Sequence, residues 1–175
     1  MLLHLNCKIV TKIITLSNKQ GVPVVLDCSG ETLKESLNNS EKPCLIKPNL
    51  EELSALLHKN VVNEDDTLKK TLTDPLFDDI EWIVVSLGGD GAFVRHGNDF
   101  YRVQIPKIKV VNAVGSGDAT VAGLCSAIAH EESDDVLLKR ANTLGMLNAQ
   151  EKMTGHINCD RYDELFSKIS VSPIA

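Results

Sequence analysis

With 175 residues, 43% of them hydrophobic and 24% charged, the chain holds enough apolar material for one buried core and has the composition of an ordinary globular domain. Its formal net charge of -6 argues against nucleic acid as the principal partner, because phosphate backbones demand basic surface. No apolar run approaches the ~18 residues that a membrane helix needs.

Leu2, Leu5, Ile9, Ile13 and Leu16 recur at helical spacing, so the chain is expected to open inside an amphipathic helix. Gly21-Val22-Pro23 then turns into Val24-Val25-Leu26-Asp27-Cys28, a short strand rich in β-branched residues. Gly30 leads into a polar helix around Leu33 to Leu37. Cys44-Leu45-Ile46-Lys47 reads as a second buried strand ended by Pro48. A helix follows from Asn49, with Leu50, Leu53 and Leu57 on one face, and another covers roughly Asp65 to Leu72.

Trp82-Ile83-Val84-Val85-Ser86 is the clearest strand, a continuous apolar run of the kind a parallel sheet buries on both faces. Gly88, Gly89 and Gly91 form a loop, and Ala92–Arg95 with Phe100–Val103 suggest a hairpin turning at Gly97-Asn98. Two helices close the chain, near Asp118–Glu131 and Ser133–Gln150. Strands alternating with helices predict an α/β layered domain with a mostly parallel sheet, treated as one domain over residues 1–175. Ligands in such sheets sit beyond the carboxyl ends of the strands. Asp27–Gly30, Lys47–Asn49, Ser86–Gly91 and Asn112–Asp118 are the loops expected there.

Five cysteines (7, 28, 44, 125 and 159), odd in number and without a C-x-x-C pair, read as reduced thiols of a cytoplasmic protein. Met1–Leu5 is apolar but lacks a small-residue cleavage site, so it is not read as a signal peptide.

The segment from Asn112 to Asp118 carries the strongest chemical signal. Gly115 and Gly117 flank Ser116, and a helix follows with Val121, Leu124, Cys125 and Ile128 on its apolar face. Glycines leave amide N–H groups uncovered, and a helix N-terminus adds its dipole and orphan donors, which makes an anion site. Asp118 repels an anion there, a conflict that resolves if Asp118 takes a proton from an attacking hydroxyl. A helix cap at Ser116 or Asp118 is the plain structural alternative. Asn49 and Glu52 likewise suit an N-cap and its third residue, a variant of the capping box. Lys47 suits either a phosphate contact or a solvated surface.

Asn112-Ala113-Val114-Gly115-Ser116-Gly117-Asp118 resembles the C-terminal signature of the PfkB, or ribokinase-like, carbohydrate kinases. Lys47-Pro48-Asn49-Leu50-Glu51-Glu52 looks like the family's N-x-x-E element, and Ser86-Leu87-Gly88-Gly89-Asp90-Gly91 like its nucleotide loop. The tail from Ala141 to His156 looks most like the members acting on tagatose 6-phosphate, with 1-phosphofructokinases as close alternatives.

The resemblance implies a ribokinase-like layered fold and an ATP- and Mg²⁺-dependent transferase. Asp118 would deprotonate the sugar's C1 hydroxyl, and the amides of Gly115, Ser116 and Gly117 would hold the γ-phosphate. Ser86, Leu87, Gly88, Gly91, Gly117 and Lys47 would contact the nucleotide, while Asn49 and Glu52 would organise Mg²⁺ and its waters. It also implies that the N-terminal strands, the lid with its homodimer contacts, and most of the sugar pocket are missing. The chain is therefore expected to be a C-terminal portion with doubtful activity of its own, or a non-enzymatic nucleotide-binding remnant.

Overall fold

The computed structural model describes residues 7–175. In chain order it forms α1 (Cys7–Lys19), β1 (Val25–Leu26), α2 (Gly30–Asn38), β2 (Leu45–Ile46), α3 (Leu50–Leu57), α4 (Asp65–Leu72) and β3 (Trp82–Ser86). There follow β4 (Ala92–His96), β5 (Asp99–Gln104), α5 (Ser116–Ala129), α6 (Asp134–Ala149), α7 (Tyr162–Phe166) and β6 (Ser170–Ile174). The strand order in the sheet is β1-β2-β3-β4-β5-β6. β1 pairs parallel with β2, and β2 parallel with β3, in the register Val25–Leu45–Trp82 and Leu26–Ile46–Ile83. The α/β class with a parallel sheet is the one expected from the alternation of apolar runs.

The chain divides into two compact units. The first runs to Leu87 and adds Phe93–Phe100 and Ile174–Ala175, and the second comprises Gly88–Ala92 and Tyr101–Pro173. The core of the first unit is built where strand and helix periodicities meet. Leu33 and Leu37 of α2, Leu53 of α3, and Leu68 and Leu72 of α4 bury against Ile46, Ile83, Val85, Phe77, Phe93 and Phe100. Residues Trp82 to Val85 of β3 are all buried, as a strand covered on both faces requires.

Arg95 of β4 is the charged side chain at this core. Its guanidinium donates to the carbonyls of Leu72 (2.7 Å), Phe77 (2.7 Å) and Ile80 (2.8 Å), so it satisfies chain ends that would otherwise be buried without donors. Burial lowers its pKa from the ordinary arginine value, with Asp78 opposing the shift.

In the second unit α5 and α6 lie close enough that a Cβ built at Gly123 would sit 2.7 Å from Ala141 Cα. The Tyr101 hydroxyl donates to Asp134 Oδ2 (2.8 Å) and so ties β5 to the first turn of α6.

Three outcomes differ from expectation. In α1 the buried residues are Val10 and Ile14, whereas Ile9, Ile13 and Leu16 stand on the exposed side. Leu2 and Leu5 lie outside the described residues. Helical periodicity identified the helix and picked the wrong stripe, because this segment has two apolar stripes. α7 and β6 were not anticipated at all. They are five residues each, and Pro173 in β6 masks a strand that lies at the end of the sheet, where proline is tolerated.

Replacing Arg95 with Met should leave three buried carbonyls without donors. We expect a loss of about 4 kcal/mol, taking roughly 1–3 kcal/mol for each unsatisfied group and allowing for partial rehydration. Urea unfolding measures it directly. An unchanged midpoint would show that the carbonyls reach water without the guanidinium.

Candidate functional site

The parallel register places the carboxyl ends of β1, β2 and β3 side by side, and the residues just beyond them become neighbours. Asp27 follows β1 and Lys47 follows β2. Their side chains meet with Nζ 3.4 Å from Oδ2, and Lys47 is only 8% exposed. Lys47 is thus no solvated surface lysine. It is a buried cation held by a more exposed carboxylate, and a charge so placed keeps its field for the sheet edge. Two residues beyond Lys47, Asn49 bridges Ser86 in parallel, and the Ser86 amide donates to the Pro48 carbonyl at 2.9 Å. Asp27, Lys47 to Asn49 and Ser86, which open three of the four expected loops, therefore lie side by side within the first unit.

Asn49 is the N-cap of α3, and the capping box is complete. Asn49 Oδ1 accepts from the Glu52 amide (2.9 Å), and Glu52 Oε2 accepts from the Asn49 amide (2.9 Å). The cap locks both side chains into one geometry while leaving Glu52 Oε1 without a hydrogen-bond partner among the described residues. One free carboxylate oxygen beside a fixed amide suits the water shell of Mg²⁺, an ion that keeps several of its waters. It does not suit a direct metal cage. No group of three or more His, Cys, Asp or Glu able to hold a metal occurs among the described residues.

After β3 the loop tightens into a 3₁₀ turn over Gly88–Asp90, and the Gly91 amide donates to the Gly88 carbonyl (3.2 Å). Gly91 has φ +85°, and a Cβ there would collide with the Val103 carbonyl. Lys107 Nζ reaches the Gly89 carbonyl at 3.4 Å and Asp90 Oδ1 at 3.7 Å. Ser86 is half-buried at the end of β3, and Leu87 packs its side chain on the core of the first unit.

In the second unit, Gly115 caps α5 with φ +86° and no side-chain cap bond. A Cβ at Gly115 would collide with Thr154 Cγ2 and stand 3.2 Å from Asn148 Oδ1, so glycine is required by conformation and by space together. The first i→i−4 bond of α5 runs from the Ala119 amide to the Gly115 carbonyl (2.9 Å). The amides of Gly117 and Asp118 therefore precede the intrahelical ladder and have no acceptor within it. Asp118 is exposed in the first turn and has no hydrogen-bond or ion-pair partner among the described residues. Neither Ser116 nor Asp118 caps the helix, so the plain capping alternative fails.

Two asparagines shape this loop, and the sequence did not single them out. Asn112 Oδ1 accepts from the Val114 amide (3.0 Å), and its Nδ2 donates to the Lys152 carbonyl (3.2 Å). Asn148 is buried in α6 and donates to the His156 carbonyl (3.1 Å). The amides of Val111 and Asn112 both donate to the Ala149 carbonyl, at 2.8 and 3.1 Å. An Asx turn ahead of a G-x-G step is the signal that could have pointed to Asn112. Asn142, by contrast, donates to the Leu138 carbonyl within α6 (2.9 Å), as a helix-surface asparagine does.

The steric reading of Gly115 yields a prediction. Gly115→Ala and Gly155→Ala share the strain of a positive φ, but only Gly115 lacks room, since a Cβ at Gly155 meets open space. Gly115→Ala should cost about 2 kcal/mol more than Gly155→Ala, the usual scale for overpacking. Thermal unfolding of the two variants gives the comparison. Equal losses would mean that Thr154 simply moves aside.

No helix among the described residues is long and apolar enough to cross a membrane. All five cysteines are free. A family model for pfkB family carbohydrate kinases matches residues 1–160. Tagatose-6-phosphate kinases from two strains of Staphylococcus epidermidis are 53% and 52% identical to this chain over 167 residues, covering 95% of it and 54% of each relative. The crystal structure of phosphofructokinase-2 from Escherichia coli matches with a TM-score of 0.82 at 26% identity, over 93% of this chain and 52% of that one. The chain spans about half the length of the relatives it matches, and it belongs to the pfkB family of carbohydrate kinases.

Proposed function

We propose that this chain is the nucleotide-binding part of a sugar-phosphate kinase, in which the γ-phosphoryl group of ATP passes to O1 of D-tagatose 6-phosphate and yields the 1,6-bisphosphate and ADP. The observation that carries the reading is Asp118. It is an exposed carboxylate without a hydrogen-bond or ion-pair partner among the described residues, in the first turn of a helix in which the Gly117 and Asp118 amides precede the intrahelical ladder. The names of the Staphylococcus relatives support the substrate. 1-Phosphofructokinase activity is the second reading, within a family of carbohydrate kinases whose solved relatives include a phosphofructokinase.

In this mechanism Asp118 accepts the proton of the C1 hydroxyl as that oxygen attacks phosphorus. The amides of Gly115, Ser116 and Gly117 would face the charge that builds on the equatorial oxygens, the Ser116 amide exchanging its acceptor here, the Ala113 carbonyl, for phosphate. Phosphoryl transfer asks chiefly for positioning and charge stabilisation, so a base and an amide nest meet most of the protein's task. Ser86, Leu87, Gly88 and Gly91 offer backbone to the nucleotide, Gly117 its amide, and Lys47 a buried positive charge. Asn49 and Glu52 would hold the waters of Mg²⁺, which would supply charge neutralisation at the phosphates. The setting proposed is the cytoplasm, where ATP and sugar phosphates meet.

A general base contributes roughly 10²–10⁴-fold to such a step. The test is a coupled ADP-release assay with Mg-ATP and tagatose 6-phosphate, alongside fructose 1-phosphate and an Asp118→Asn control. We expect saturable ATP binding by both forms, slow turnover by the chain alone, and a fall of that turnover to background in Asp118→Asn. Equal rates in the two forms would remove Asp118 as the base. Absence of ATP binding would remove the nucleotide reading altogether.

A further inference from the structure

The chain that leaves α6 returns over the loop ahead of α5. Residues 151–156 belong to no helix or strand, and Lys152 to His156 are all exposed. Packing therefore does little to hold this segment, yet it lies against the Gly115 turn. Thr154 Cγ2 blocks the place that a Cβ would take at Gly115, and the Gly155 nitrogen stands 3.5 Å from it. Two side-chain amides tie the segment there. Asn112 Nδ2 donates to the Lys152 carbonyl at 3.2 Å, and Asn148 Nδ2 donates to the His156 carbonyl at 3.1 Å. One tie comes from the loop itself and the other from α6, and they meet the segment near its two ends.

Asn148 is the more informative of the two. It is 1% exposed, and its Oδ1 has no hydrogen-bond partner among the described residues while standing 3.2 Å from the Cβ position of Gly115. A buried acceptor without a donor costs stability, and an apolar side chain of similar shape avoids that cost. Stability of the packed helices therefore does not explain an amide at this position. What the amide supplies is a donor to a carbonyl on an exposed segment, a carbonyl that water reaches once the segment lifts. Asn112 has both of its polar atoms in use, because its Oδ1 accepts from the Val114 amide (3.0 Å).

We infer that residues 151–156 form a strap over the Gly115 turn, and that Asn112 and Asn148 are positioning residues of the phosphoryl-transfer site. They act through Gly115, keeping the Gly117 and Asp118 amides in the orientation that receives phosphate. The inference rests on the reading of the first turn of α5 as that site. With both ties made, Gly115 is confined between Thr154 and Asn148 and keeps its φ of +86°. With either tie cut, the exposed strap lifts and the turn gains conformations that do not bind phosphate. The apparent affinity for nucleotide then falls in proportion to the fraction of molecules whose turn is in place. Global stability changes little, because the freed carbonyl exchanges its donor for water.

The test compares the parent chain with Asn112→Ser, Asn112→Gln and Asn148→Leu in three measurements: Mg-ATP affinity by calorimetry, thermal unfolding, and amide hydrogen exchange over residues 111–118 and 151–156. Serine still accepts from the Val114 amide but is too short for the Lys152 carbonyl, so Asn112→Ser cuts one tie and keeps the turn. We expect Asn112→Ser and Asn148→Leu to bind Mg-ATP about tenfold more weakly, with faster exchange in both segments and an unfolding temperature close to the parent's. Asn112→Gln keeps an amide donor and should recover most of the affinity. Because Asn112 is only half-buried, Asn112→Ser decides the matter if Asn148→Leu fails to fold. Parental affinity in Asn112→Ser overturns the inference. So does an affinity loss that tracks a general loss of stability, with exchange raised throughout the chain. A parent chain that binds no Mg-ATP removes the nucleotide reading instead. The strap is then judged on exchange alone, and unchanged protection of residues 111–118 in Asn112→Ser overturns it.

Discussion

The position of Asp118 depends on how closely α5 and α6 can approach. Gly123 brings α5 against the backbone of Ala141, and Gly145 brings α6 against Thr120 and the Ser116 carbonyl. Any side chain at either place would push the helices apart, because interiors packed this tightly have no slack to absorb a methyl group. The loop ahead of α5 is then pinned from α6 as well, through the Ala149 carbonyl and through Asn148 beside Gly115. The helix begins where it does because it is gripped on its flank and at its start. A carboxylate placed three residues into such a helix is held in position without any bond of its own among the described residues.

The first unit fixes its polar residues by another route, the register of three parallel strands. Once Val25, Leu45 and Trp82 are aligned, Asp27 falls beside Lys47 and Asn49 beside Ser86 with no further instruction. Burying Lys47 against Asp27 is costly unless the pair is maintained, since loss of either partner leaves an uncompensated charge. The capping box at α3 works in the same spirit. It uses Asn49 and Glu52 for local helix stability and still leaves one carboxylate oxygen of Glu52 without a hydrogen-bond partner among the described residues.

The elements most visible in the sequence were those whose burial is simplest. β3 is covered on both faces and reads as an unbroken apolar run, and α4 was placed at its observed boundaries because acidic residues open it and lysines end it. The Asn49–Glu52 cap was visible because its two side chains satisfy each other at a fixed spacing. Arg95, Asn112 and Asn148 were not visible, because each acts on carbonyls or amides brought near it by the fold. Arg95 answers Leu72, Phe77 and Ile80, a set that exists only after α4 and β4 have packed. The family signature supplied Asp118, and the structure supplied the reason that Asp118 is not a cap.

The misplaced face of α1 shows why periodicity alone could not go further. A repeat at i, i+4 and i+7 says that one side of a helix prefers an apolar neighbour, but it does not say whether that neighbour belongs to the same chain. In α1 both stripes satisfy the rule, and only Val10 and Ile14 find their neighbours within the first unit. The second stripe, Ile9, Ile13 and Leu16, stays about half exposed. An apolar face that the fold leaves open is as specific a piece of information as a buried one. Periodicity reports the preference of a helix face, and burial is decided by what the rest of the fold brings to it.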